Sequence, residues 1–307
     1  MNMTPDIVSS VSLDLVLFTV VDAQSLSESL WDDSLLSLGN YAERPRSGYA
    51  LFVVTVPAND DTHPELKNRR LLPGGHLKKT ETLADSSHRI VKEQLGLDLK
   101  KWLWEVKAFD ALDRDIREPK ERIISLAYWA MVEFNLLRKY LGGREQVGLE
   151  LVNSIPYMDK FEQDMGPLEM FDGVCRFGNR TMPSPSSFRA HFKTLSKDLP
   201  EGQILGLDHD EMVFFAWRKL RHAFDGRVDP FRYLGNNPLG GEFRISDLHE
   251  FTEVCRGERI QKDLFRRQMM SDDRFLRETG KTDKSRAGKP AMLYSPLSIR
   301  AEKNMPE

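Results

Sequence analysis

Apolar and polar positions fall into blocks along the chain. The runs Leu13–Val21 (LDLVLFTVV), Tyr49–Val56 (YALFVVTV) and 121–132 (ERIISLAYWAMV) are short, β-branched and aromatic, which predicts strands. Between the second and third, Thr82–Leu95 keeps a helical period, so residues 10–135 are expected to form an α+β domain. Residues 24–46 and 57–68 are polar, carry Pro45, Pro57 and Pro64, and are assigned to loops or a short helix at the edge of the core. From 136 to 206 no period emerges. Gly142-Gly143, Asn179 and the run MPSPSS predict an insertion or linker with short helices there.

Helical periodicity returns after Leu207. Met212, Ala216, Leu220 and Ala223 share a face of a helix over about 208–224. Ser246 is a candidate N-cap for a second helix with Leu248, Phe251 and Cys255 inward, and Gly257 supplies its stop. A third helix over 260–270 follows at once, and two helices joined by so tight a turn predict a helix-turn-helix. Phe275-Leu276 and Ala291–Tyr294 then flank a basic stretch, a hairpin that would form a wing. Residues 207–300 are thus expected to be a winged helix-turn-helix domain.

Composition narrows this picture. The 307 residues suit about two domains. No apolar run approaches the roughly 20 residues a bilayer span needs, and the N-terminus shows no basic region followed by an apolar core. No membrane partner and a cytoplasmic location are therefore expected. Cys175 and Cys255 make neither a disulfide framework nor a metal spacing. Charge is uneven: residues 256–300 hold 12 Lys+Arg against 6 Asp+Glu, or +6, and the remainder 32 against 41, or −9. An anionic partner for the C-terminal part alone would account for that division, as would a solvated charged tail.

Leu71–Leu97 reads LLPGGHLKKTETLADSSHRIVKEQLGL. It resembles the Nudix box: a Gly, five residues, Glu, seven residues, then Arg-Glu-apolar-x-Glu-Glu-x-Gly-apolar. Gly75, Glu81, Arg89, Val91, Glu93, Gly96 and Leu97 fit, but Ile90 and Gln94 stand where that pattern has glutamates. Positions 90, 93 and 94 share a helix face, so three glutamates there would aim carboxylates at divalent ions and a pyrophosphate. With Glu93 alone, no catalytic residue, metal site or required cofactor is expected. Downstream, Asp113, Arg114, Asp115 and Arg117 precede a strand, where guanidinium groups can meet a diphosphate or internal ion pairs can order the loop.

On the third C-terminal helix, Ile260, Leu264, Phe265 and Met269 project to one side, and Lys262, Asp263, Arg266 and Arg267 to the other. Lys262 and Arg266 form a like-charge i, i+4 pair that a nearby anion would relieve. Arg and Gln side chains can read guanine and adenine edges, which adds Gln261 to the candidates. Lys281, Lys284, Arg286 and Lys289 on the wing suit phosphate contacts.

A degenerate Nudix box followed by FRISDLHEFTEVCRG, KDLFRRQM and a hairpin ending GKPAMLY resembles the Nudix-related transcriptional regulators of NAD metabolism, the NrtR family. The SLAYWAMV strand and Asp208-His209 fit that pattern too, whereas the roughly 70 central residues do not. The resemblance implies an N-terminal α/β/α sandwich with a mixed sheet and a C-terminal winged helix-turn-helix. It also implies a dimeric repressor on a pseudo-palindromic operator, with ADP-ribose or a related nucleotide as effector. Gly74, Gly75, Arg89, Glu93 and Asp113 to Arg117 would then form the effector site. A Nudix-type diphosphate hydrolase with an accessory domain, a sugar-responsive regulator of this architecture and a scaffold that binds no DNA are the alternatives.

Overall fold

The computed structural model describes residues 10–22, 49–58, 66, 69–98, 103–110, 114, 122–134, 136–137, 147–151, 168–171, 174–177, 180–182, 205–224, 239, 241–256, 259–271, 275–285 and 290–297. Its central element is a seven-stranded mixed sheet. Strand β1 (Ser10–Asp22) pairs antiparallel with β2 (Tyr49–Pro57) and parallel with β6 (Ile123–Met131). β2 continues to β3 (Arg70–Leu71) and also pairs with β7 (Gly148–Leu151); β4 (Gly74–His76) pairs with β1, and β5 (Trp104–Phe109) with β6.

The sheet is buried on both faces, and the pleat of β1 sorts its side chains between two cores. Leu13, Leu15 and Leu17 lie in one with Ile90, Val91 and Leu95; Val16, Phe18 and Val20 lie in the other with Met212, Phe214 and Phe251. The first core is covered by helix α1 (Leu83–Ile90), which continues into a π-helical turn over Val91–Leu95. Thr82 and Asp85 form a reciprocal capping box at its start, and Gly96 ends it with φ 72°, a left-handed conformation that favours glycine.

The second core is covered by α2 (His209–Ala223) and α3 (Ile245–Arg256). α2 is buried nearly all round over His209–Trp217, because it lies between the sheet and the C-terminal elements. Sequence periodicity groups this helix with the C-terminal domain; in the structure it packs against β1, β5 and β6 as well as against α3. The ring of Phe224 packs against that of Phe251 in α3, centroids 5.9 Å apart and planes tilted by 50°. Cys255 lies buried in α3, and burial pushes its thiol well above the ordinary range, which leaves it unreactive.

Short helices were expected between 136 and 206. Among the described residues there, Leu136 and Leu137 are helical, β7 extends the main sheet, and β8 (Leu168–Phe171), β9 (Val174–Phe177) and β10 (Arg180–Met182) make a three-stranded meander that the sequence reading did not include. Hairpin pairing needs no long apolar period, so the sequence pattern does not reveal these strands.

After α3 comes α4 (Lys262–Met270), and the predicted hairpin forms from β12 (Leu276–Asp283) and β13 (Ala291–Pro296). β11 (Phe243–Arg244) adds to β13, completing a three-stranded sheet beside the helix pair. The expected order of a Nudix-like mixed sheet followed by a winged helix is therefore what the chain builds.

Candidate effector cavity and DNA-facing surface

A cavity of about 390 Å³ opens between β1, β4, the π-helical turn and the start of α2. Small-molecule sites occupy roughly 300–1,000 Å³. Among the predicted residues it brings together Gly74, Gly75, Glu93 and Arg114; Ser12, Asp14, His76, Gln94, Leu207 and His209 also line it. Asp113, Asp115 and Arg117 lie outside the described residues.

β4 approaches β1 so closely that only glycine fits at 74: a Cβ there would lie 2.2 Å from Asp14 Oδ1 and 2.9 Å from the Leu13 carbonyl. Gln94 fixes the same residue. Its Oε1 accepts from Gly74 N at 3.1 Å, and its Nε2 donates to Gly74 O at 2.7 Å. A glutamate at 94 would have no donor for that carbonyl.

Ile90 is 0% exposed and lies in the core beneath Gly75, so it presents nothing to the cavity. Glu93 is exposed, with its side chain 59% accessible and Arg89 Nη1 at 3.3 Å. Arg89 itself is not a lining residue. Its Nε and Nη2 donate to the two carboxylate oxygens of Glu81, at 2.6 and 3.0 Å, and Nη2 also donates to the His76 carbonyl at 2.9 Å. This pairing holds the Glu81 carboxyl below its usual range and raises Arg89 further. Arg89 thus ties α1 to the glycine turn. Among the described residues no group of three or more His, Cys, Asp or Glu is placed to hold a metal ion.

The cavity floor is a buried polar cluster that sequence spacing did not assemble. Arg114, 3% exposed, donates through Nε and Nη2 to Asp208 Oδ2 and Oδ1 at 3.0 and 2.9 Å, and its Nη2 lies 3.6 Å from Asp14 Oδ2. The Ser125 hydroxyl donates to the same Asp14 oxygen. His209 Nδ1 accepts from Leu72 N at 2.8 Å, which leaves Nε2 facing Asp14 Oδ1 at 3.5 Å. The arginine expected to meet a diphosphate is therefore already gripped by two carboxylates. Leu207, next to the pair, has φ 61°, a left-handed conformation costly for a branched side chain. One local signal points here: Asp14 is a charge inside the mostly apolar run Leu13–Val21.

At the other end of the chain, α3 and α4 are joined by buried polar groups that sequence reasoning also missed. His249 Nε2 donates to the Ile260 carbonyl at 2.8 Å, and Glu253 Oε1 accepts from Ile260 N at 2.9 Å. The His249 ring meets Phe265 edge-on at 5.2 Å. These contacts fix the angle at which α4 stands.

α4 buries only Phe265 and Met269. Lys262, Arg266 and Arg267 are exposed, as predicted, and Gln261 occupies the N-cap position without a side-chain cap bond. Leu264 departs from the expected apolar side: it is 43% exposed. The buried stripe of so short a helix is one i, i+4 pair wide, and Leu264 falls outside it. On the wing, Lys281 and Lys284 are exposed, with Lys281 Nζ 2.9 Å from Glu242 Oε1. Arg244 pairs with Asp283 and donates to Ser285 Oγ at 3.0 Å, which anchors the wing to β11. Arg286 and Lys289 lie outside the described residues.

Comparison with known proteins agrees with this architecture. Residues 235–295 match the NrtR DNA-binding winged helix domain. NrtR of Shewanella oneidensis in complex with a 27mer DNA superposes with a TM-score of 0.56 at 19% identity, covering 93% of each chain. The same protein crystallised alone gives 0.54 at 18% identity over 94% of each. A MutT/nudix family protein from Enterococcus faecalis gives 0.54 at 17% identity, over 94% of this chain and 86% of that one. No curated protein matches in sequence. The resemblance to NrtR regulators read from the sequence is thus borne out in the winged helix domain and in the fold of the whole. No helix among the described residues is long and apolar enough to cross a membrane.

Proposed function

We propose that this chain is a DNA-binding repressor of NAD-metabolism genes. It acts as a homodimer on a pseudo-palindromic operator and is released by ADP-ribose or a related nucleotide bound in the 390 Å³ cavity. The observation that carries the reading is α2. Its first residue lines the cavity and its last turn packs on the helix-turn-helix, in a chain whose Nudix box keeps one of three carboxylates.

The ligand's phosphates meet a site without the carboxylate cluster that would hold ions and activate water. A bound diphosphate therefore persists. It competes with Asp208 for the Arg114 guanidinium, the group best suited to bidentate phosphate recognition. Loss of that pair frees the start of α2 at the strained Leu207, and the shift reaches α3 through Phe224 and Phe251. Asp113, Asp115 and Arg117 complete the proposed effector site with Gly74, Gly75 and Glu93, and Arg89 holds the glycine turn in place behind it.

On the DNA side, paired helix-turn-helix units match half-sites about one helical turn apart or a multiple of it. Selection from random duplexes, followed by binding measurements at fixed salt, tests the reading. Arg266→Ala should weaken the selected site by about 1 to 3 kcal/mol in a sequence-selective way. Lys284→Ala should weaken all duplexes and flatten the salt dependence. Unchanged affinity in a Lys262/Arg266 double alanine variant would refute DNA reading by α4. A response to simple sugars alone would replace the nucleotide effector with a carbohydrate.

A further inference from the structure

The exposed side of α4 holds more than cations. Leu264, 43% exposed, and Gln268, also exposed, stand one helical turn apart on the same flank, separated by about 6 Å of rise, close to two base steps. On the other flank lie Lys262 and Arg266, with Arg267 and Asp263 between. Asp263 is the one acidic group on the helix and occupies its first turn, where the helix dipole favours it. Leu264 and Met270, the last residue of the helix and 39% exposed, are the exposed apolar side chains of α4, and neither anchors the helix, since Phe265 and Met269 already do.

We propose that Leu264 and Gln268 form an A·T-reading flank on the recognition helix. The leucine packs on the C5-methyl of a thymine, and the glutamine bonds bidentately to N6 and N7 of a neighbouring adenine. This rests on the DNA-binding reading above. The occupant follows from charge complementarity: the same helix presents Lys262, Arg266 and Arg267, and the wing presents Lys281 and Lys284, a surface that suits a phosphate backbone. A thymine methyl is the apolar group that the major groove of such a partner offers, and adenine the base whose donor and acceptor match a glutamine amide. Leu264 is exposed, so truncating it leaves the fold intact.

The test uses the full chain and the duplex it selects from random sequence. Each thymine of that duplex is replaced in turn by deoxyuridine, which deletes only the methyl group. The unmodified protein should lose about three- to fivefold in affinity at one thymine per half-site, the worth of one methyl-sized apolar contact. Leu264→Ala should bind the parent duplex that much more weakly and show no further loss at that position, while its affinity for random duplex stays unchanged. Gln268→Ala should lose the preference for adenine close by. If Leu264→Ala keeps the same deoxyuridine penalty, or if no thymine shows one in the unmodified protein, the proposal falls while DNA binding stands. If the unmodified protein selects no duplex, the DNA-binding reading falls with it.

Discussion

Arg114 and Asp208, 94 residues apart in sequence, are joined by two parallel hydrogen bonds of 3.0 and 2.9 Å with both side chains 3% exposed. Arg114→Ala would leave the Asp14 and Asp208 carboxylates buried without their cation. Removing one partner of a buried pair costs about 3 to 5 kcal/mol. Asp208→Asn should cost less, because Asp14 still faces the guanidinium at 3.6 Å. Urea denaturation of the two variants should rank them in that order; midpoints equal to that of the unmodified protein would show that the cluster adds nothing to the fold.

The two glycines of the turn should respond differently to a methyl group. Gly74→Ala drives a Cβ into Asp14 and the Leu13 backbone, whereas Gly75→Ala meets only Ile90 at 3.7 Å, an ordinary contact. Overpacking costs about 1 to 3 kcal/mol, so Gly74→Ala should lower the melting temperature while Gly75→Ala leaves it nearly unchanged. Similar losses in both would argue against the close β1–β4 approach.

No ADP-ribose hydrolysis is expected with Mg²⁺ or Mn²⁺, and restoring glutamates should not recover it. Ile90 is fully buried among Val91 and Leu95, so Ile90→Glu places a carboxylate where only its neutral form is tolerated. Gln94→Glu removes the donor to Gly74 O. The double variant should be destabilised and inactive. Turnover of the unmodified protein at the rate of an intact Nudix enzyme would contradict the inert site.

The Glu81–Arg89 pair should contribute stability with a defined pH sense. Its carboxyl is held low by the hydrogen bond from Arg89, so the folded state favours the charged form more than the unfolded chain does. That contribution is fully present above the ordinary carboxylate range and is lost as pH falls through the lowered value. The melting temperatures of the unmodified protein and Glu81→Gln should therefore differ at neutral pH and converge in acid. A gap that widens in acid would reverse the sign.

The sequence reaches some of this site and not the rest. Gly75, Arg89 and Glu93 belong to one turn-helix segment, where fixed spacing is visible in one dimension. Asp14, Arg114 and His209 meet only because β1 and β6 run side by side and α2 returns to the sheet, and no local pattern encodes that return. Arg89 matched by spacing, yet spacing could not tell that Glu81 and the His76 carbonyl would engage it. Leu264 shows the same limit on a helix: periodicity orders side chains by angle but does not say how wide the buried stripe will be.

The proposed switch predicts that weakening the Arg114–Asp208 pair mimics the effector. For a ligand to release DNA it must bind the released form more tightly, and a coupling of about 1 to 3 kcal/mol corresponds to a 5- to 150-fold change in operator affinity. Asp208→Asn removes the charge that competes with a ligand phosphate. It should bind ADP-ribose more tightly, bind operator more weakly without ligand, and respond less when ligand is added. Leu207→Gly relieves the left-handed strain and should shift the balance by relaxing the same junction. Calorimetry with ADP-ribose, together with operator titrations at fixed salt, measures both legs of the cycle. If Asp208→Asn binds ligand and operator as the unmodified protein does, the signal does not pass through the start of α2, and the direct packing of α3 on β1 and β2 becomes the route to examine.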